Sequence, residues 1–136
     1  MRRNEVNNIL RKEFVGGAIE SYGVLHQLLF FQVRNGYDAY FYVDSSSLRL
    51  VEKSFAQQGD AVFERLQVLH YLNLKFIKDI YCDEQTVLHI LFEGGEHLLI
   101  GEHMMDDYGE PWEITCDDSK IIAQKYAEEY IIEGTW

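Results

Sequence analysis

Two cysteines, one proline and no long apolar run set the first limits on this 136-residue chain. Cys82 and Cys116 stand 34 residues apart and form no C-x-x-C pair, and no secretory leader is expected ahead of them, so both are expected to be reduced, inert thiols. The basic start Met1-Arg2-Arg3-Asn4-Glu5 runs into polar residues rather than the apolar centre of a signal peptide. The longest apolar stretch, 24–33, is interrupted by His26, Gln27 and Gln32 and is too short to span a bilayer. A soluble, cytoplasmic protein with no membrane partner is therefore expected. No Pro-rich linker, low-complexity tract or internal repeat divides the chain, and 47% apolar with 26% charged residues is globular composition, so one domain over 1–136 is expected.

Catalytic signatures are missing as well. Outside Ser45-Ser46-Ser47 the serines are Ser21, Ser54 and Ser119, none in a G-x-S-x-G elbow, and the glycines build neither a P-loop nor G-x-G-x-x-G. His97 and His103 would share one face of a strand, but six residues separate them by roughly 20 Å, too far for one ion. His103 with Asp106 and Asp107 matches no metal motif, and His26, His70 and His89 lie in apolar segments that suit structural histidines. No catalytic residue, metal ligand or cofactor is expected. A basic stripe is also lacking, which argues against direct binding of nucleic acid.

Negative charge is what the chain has in excess, and it is unevenly placed. The formal charge is −11. Residues 1–78 carry ten Lys/Arg and eight Asp/Glu, a net of +2, whereas residues 79–136 carry fifteen Asp/Glu against Lys120 and Lys125, a net of −13. Solubility is one reason for such a half; steering a positively charged protein surface into contact is another, and a divalent-metal site a third.

Val6, Ile9, Leu10 and Phe14 recur at helical spacing before Gly16-Gly17, predicting an amphipathic helix over 3–14. The Leu-, Phe- and Val-rich run 23–33, the pair Asn35-Gly36 and the run 37–44 predict a hairpin closed by a type I′ turn. In its second strand Tyr37, Ala39, Phe41 and Val43 share one face, and Asp38, Tyr40, Tyr42 and Asp44 the other, whose tyrosines suit cross-strand packing or a partner contact. Residues 45–58 fit a short strand at 48–51 or a helix. Asp60 caps a helix with the stripe Val62, Leu66, Leu69 and Leu72, ending near Asn73. Strands are predicted over 74–82, 86–93, 97–104 and 112–115 as an antiparallel meander. Asp117 or Asp118 then caps a last helix, with Ile122, Tyr126 and Tyr130 at i, i+4 and Gly134 as its stop. The class is α+β: one central, mainly antiparallel sheet, hairpin plus C-terminal meander, packed with N-terminal, middle and C-terminal helices.

One compact domain, an acidic second half and the meander segment from Gly94-Gly95 through Gly101-Glu102-His103 and Asp106-Asp107-Tyr108-Gly109 to Pro111-Trp112 carry a resemblance. With these features the chain resembles the small, acidic α+β immunity proteins of bacterial polymorphic-toxin and contact-dependent growth inhibition systems. The resemblance implies a tight complex with a cognate protein toxin, basic and often a nuclease, whose active site or adjacent surface is covered. Charge would supply speed and selectivity, and buried aromatics most of the affinity. The candidate toxin-binding face comprises Asp83, Glu84, Glu93, Glu96, Glu102, Asp106, Asp107 and Glu110, with Tyr108 and Trp112 as anchors; core packing is the other reading of Trp112. Two competing readings stand beside it. One is a small-ligand-binding domain or minor enzyme with a pocket between the sheet and the last helix. The other is a homo-oligomer, such as a homodimer, favoured if the Tyr40 and Tyr42 face is an exposed apolar patch.

Overall fold

The computed structural model describes residues 2–26, 28–44, 47–51, 53, 61–102, 110–125 and 129–136. The first element is α1 (Arg3–Phe14), which buries Val6, Leu10 and Phe14 at i, i+4, i+8, as its periodicity predicts. Arg2 and Glu5 pair across its first turn at 3.0 Å. At its far end the Asn35 side-chain amide donates to the carbonyls of Glu13 (2.9 Å) and Val15 (3.3 Å), satisfying acceptors that a helix terminus leaves open.

Two antiparallel sheets follow, not one. The larger is built from β1 (Ala18–Leu25), β2 (Leu28–Arg34), β3 (Asp38–Asp44), β8 (Trp112–Cys116), β9 (Ser119–Gln124) and β10 (Glu129–Glu133), in that order. The smaller has the order β4-β7-β6-β5, from β4 (Leu48–Leu50), β7 (His97–Ile100), β6 (Leu88–Phe92) and β5 (Ile77–Cys82). The second helix, α2 (Ala61–Leu72), precedes β5 and agrees with the predicted middle helix. Among the described residues no helix is long and apolar enough to cross a membrane.

Alternation explains the layering. In β2, Leu29, Phe31 and Val33 are buried; in β3, Ala39, Phe41 and Val43; in β6, Leu88, Ile90 and Phe92. Apart from Leu29, these residues join Val6, Leu10 and Phe14 of α1 and Val68, Leu69 and Leu72 of α2 in one apolar cluster. The Phe31 and Phe41 rings stack at 4.7 Å, and Phe14 meets Phe41 edge-on at 5.1 Å. The helices line opposite edges of this double layer: α1 lies along β5 and reaches β10, while α2 lies against β1, β2 and β4. Asn7 of α1 treats β5 as a strand neighbour would, donating Nδ2 to the Cys82 carbonyl (3.1 Å) and accepting the Cys82 N–H (2.7 Å). That pairing covers backbone groups an edge strand leaves exposed.

The structure corrects four expectations. The apolar run over 23–33 is two strands, because the chain reverses after Leu25, which pairs with Leu28, and His26 sits at φ 58°. The Asn35-Gly36 reversal is a three-residue loop closed by Arg34 opposite Asp38, with Gly36 but not Asn35 at positive φ, so it is not type I′. The meander is split: β5, β6 and β7 belong to the small sheet, and β8 crosses to the large one to pair with β3. The predicted C-terminal helix is the β9–β10 hairpin, in which Ile122 pairs with Ile131 and Ala123 with Tyr130. Ile121 and Ala123 are buried at period two, and β-branched isoleucines favour that extended packing over a helix. Asp117 and Asp118 are the two-residue turn between Cys116 and Ser119, not a helix cap. Residues 48–50 are the strand alternative for 45–58; the rest of that stretch lies outside the described residues apart from 47, 51 and 53.

Candidate binding surface

The predicted acidic face is dispersed. Asp83 and Glu84 sit in the β5–β6 turn, whereas Glu93 and Glu96 sit in the β6–β7 turn at the opposite end of the same strands. Glu102 follows β7, and Glu110 is exposed just before β8. Asp106, Asp107 and Tyr108 lie outside the described residues. Trp112 is in the core: it is 1% exposed, and its indole N–H donates to the Thr86 carbonyl at 3.1 Å.

Several of these carboxylates already have cationic or imidazole partners. Glu102 receives a two-pronged contact from Arg49 at 2.8 and 3.1 Å, Glu96 pairs with Lys75 at 3.5 Å, and Glu84 with Arg3 at 3.6 Å. Asp83 accepts from the His89 ring at 2.8 Å and from the backbone N–H groups of Gln85 and Val87. Burial opposes ionisation of Asp83, but the His89 and backbone bonds outweigh it and hold the carboxyl below its ordinary range. Bases from the nearly neutral N-terminal half thus offset part of the acidic half in space.

The surface that the fold does assemble lies on the outer side of the six-stranded sheet. The pairing registers place Gly23, Phe30, Tyr42, Glu113, Ile122 and Ile131 side by side across all six strands. The adjacent row reads Ser21, Gln32, Tyr40, Thr115, Lys120 and Glu133. Tyr40 and Tyr42 stack at 6.3 Å between ring centroids, and Phe30 lies 6.5 Å from Tyr40. Tyr40 is 38% exposed. Phe30 covers Gly23, whose missing side chain leaves room for the ring; an added Cβ would come within 2.9 Å of it. Asp38, Asp44, Glu113, Glu129 and Glu133 lie on or beside these rows, against Arg34 and Lys120. Arg34 is shared between Glu20 (3.3 Å) and Asp38 (3.1 Å), and Lys120 lies 3.8 Å from Glu113. The face is therefore apolar and aromatic along its middle, with a carboxylate excess around it.

Two of the concavities among the described residues bear on these faces. One, of about 290 Å³, is lined by Glu13, Tyr37, Cys116, Asp117, Asp118 and Trp136, among others. Burial first, then Asp117, Glu13, Asp38 and Asp118, pushes the Cys116 thiol up from its ordinary value, which marks a strongly negative recess. The other, of about 430 Å³, is an apolar groove between β1 and α2 lined by Tyr22, Phe63, Leu66, Gln67, His70 and Tyr71, with the Tyr22 hydroxyl hydrogen-bonded to the His70 ring. Burial also raises the Cys82 thiol, which faces Tyr130 in the core. Neither cysteine is poised as a thiolate nucleophile.

The sequence singled out Tyr40 and Tyr42 but not the residues that extend their rows. Phe30, Glu113 and Ile122 become neighbours through strand order, which no local signal encodes. No family model matches the chain, and no curated protein matches it. Among solved structures it is similar to the N-terminal domain of the fibronectin-binding protein PavA from Streptococcus pneumoniae, at 16% identity and a TM-score of 0.44. That match covers 93% of this chain but 49% of the other, so the chain spans about half the length of the structure it matches. A likeness this loose carries neither fold nor function across.

Proposed function

We propose that this chain is a non-catalytic binding protein of the immunity type, which captures a basic protein toxin on the outer face of its six-stranded sheet. The observation that carries the reading is the aromatic cluster of Phe30, Tyr40 and Tyr42 set among carboxylates in a protein of net charge −11. Lysine and arginine side chains lie favourably over tyrosine faces, and surrounding carboxylates raise the encounter rate with a cationic surface while rejecting acidic ones. The same charge opposes close approach of a second copy, which ranks a homodimer below a basic partner. Burial raises both thiols above their ordinary range, so the reading assigns neither cysteine a nucleophilic role.

The small-ligand alternative has one observation in its favour, the apolar groove between β1 and α2. The pocket expected between the sheet and a last helix has no counterpart among the described residues, since that segment holds the β9–β10 hairpin.

The test uses the tagged chain as bait in a lysate of its native organism at low and high salt. Retained proteins are then assayed for toxicity with and without the chain in equal amount. A basic protein should be retained and its toxicity abolished. Tyr42→Ala should weaken the complex by about 2 kcal/mol, the scale of an aromatic anchor, and Glu113→Lys should slow association and blunt its salt dependence. Retention of no protein, together with an apolar small molecule that co-purifies and is lost in Phe63→Ser, would replace this reading with the ligand-binding one.

A further inference from the structure

The outer face of the four-stranded sheet carries a separate constellation. Tyr81 of β5, His89 of β6 and His97 of β7 are neighbours there, with Asp83 just beyond β5. Asp83 Oδ2 is 2.8 Å from His89 Nε2, and His89 Nδ1 is 2.9 Å from His97 Nε2. The Tyr81 ring stacks on the His89 ring at 4.7 Å with 7° between planes, so the imidazole is held by a ring on one side and a carboxylate at one nitrogen.

Elementary bonding rules fix what this arrangement presents. An ionised carboxylate only accepts, so a neutral His89 carries its proton on Nε2 and turns the lone pair of Nδ1 toward His97, whereas an imidazolium would donate from both nitrogens. His97 Nε2 meets that lone pair either as an N–H donor or as a second lone pair. Two imidazole lone pairs at this separation need a cation between them. A metal about 2.0–2.1 Å from each nitrogen subtends roughly this spacing when the bonds to it are near a right angle, and a small opening of the pair reaches tetrahedral geometry. A carboxylate hydrogen-bonded to the far nitrogen of a ligating histidine is the usual outer partner of such sites.

We infer that His89 Nδ1 and His97 Nε2 form a two-ligand site for a borderline divalent transition metal ion of the zinc class, with Asp83 as a positioning residue behind His89. Among the described residues no group of three or more His, Cys, Asp or Glu side chains converges on one point, so water or an incoming donor completes the coordination. The ion would staple β6 to β7 across their hairpin. Imidazole ligands favour zinc, copper or nickel over magnesium and calcium, which take oxygen. The site is thereby distinct from non-specific cation binding by the many carboxylates.

Zinc chloride titrated into the whole protein in excess magnesium, followed by calorimetry and by long-range proton–nitrogen spectra of the imidazoles, tests this. One zinc per chain is expected, with the resonances of His89 Nδ1 and His97 Nε2 moving together. His89→Gln and His97→Gln should each weaken binding at least about tenfold, and Asp83→Asn by about 10- to 100-fold, as for other outer carboxylates. Thermal melts without zinc check that the variants fold, and the spectra of the unaltered chain stand whether or not they do. Absence of saturable binding, binding unchanged in a folded His89→Gln variant, or spectral shifts confined to carboxylates overturns the site.

Discussion

At the scale of single residues, backbone reversals carry much of the specification. Gly134 follows β10 at φ 82°, and a Cβ there would lie 2.6 Å from the Ser119 Cα and 2.8 Å from the Asp118 carbonyl. The position is thus closed both to a left-handed side-chain residue and to added volume. Gly134→Ala should destabilise the protein by more than about 1 kcal/mol, read as a lower urea midpoint with an unchanged slope. Asp117, by contrast, holds φ 54° without being glycine, in keeping with the tolerance of aspartate for that region. Gly134 was legible as a stop signal and Asp117 as a boundary. What they bound was not, because glycine and aspartate punctuate helices and hairpins alike.

At the scale of elements, the C-terminal segment is the instructive case. Ile122, Tyr126 and Tyr130 satisfy a helical repeat, while Ile121 and Ala123 satisfy a strand repeat in the same dozen residues. Pairing of β9 with β8 on one side and β10 on the other decides between them, and that pairing is non-local. The two periods predict different mutational patterns. Ile121 is fully buried, so Ile121→Ala should cost about 2–5 kcal/mol, whereas half-buried Ile122 on the outer face should cost less than about 1 kcal/mol when truncated. Comparable losses at both positions in chemical denaturation would contradict the hairpin. The two helices, in contrast, were legible from sequence because their apolar spacing has a single reading: a strand face through Val6, Leu10 and Phe14 would also carry Asn8 and Lys12, whereas a helix face leaves those two aside.

At the scale of the whole molecule, charges distant in sequence meet between the two halves. Arg11 of α1 forms two hydrogen bonds with Asp79 of β5 at 2.9 and 3.4 Å, and that guanidinium, helped by the Ile80 N–H, holds the Asp79 carboxyl below its ordinary value despite partial burial. A carboxyl whose pKa is lower folded than unfolded stabilises the fold above its unfolded value, about 3.9, and that contribution disappears as pH falls through the folded value. The melting temperature should therefore decline below about pH 4 more steeply in the parent than in Asp79→Asn, measured by calorimetry across pH 2–7. An identical acid limb in both proteins would remove Asp79 from the account. The pairing is partly exposed, so solvent screening limits its size.

Composition, the excess of carboxylates after residue 78, both helices and most strand positions follow from the sequence, because each rests on residue type and short-range period. The three-dimensional structure decided the rest. It split the meander between two sheets, took Trp112 into the core, put bases beside Glu84, Glu96 and Glu102, and laid Phe30, Tyr40 and Tyr42 across one open face. It also brought His97 to His89 on the neighbouring strand, a partner that spacing along one strand does not reveal. Which strand lies beside which is settled by how all the apolar faces are buried together, and that sum has no local signature in the chain.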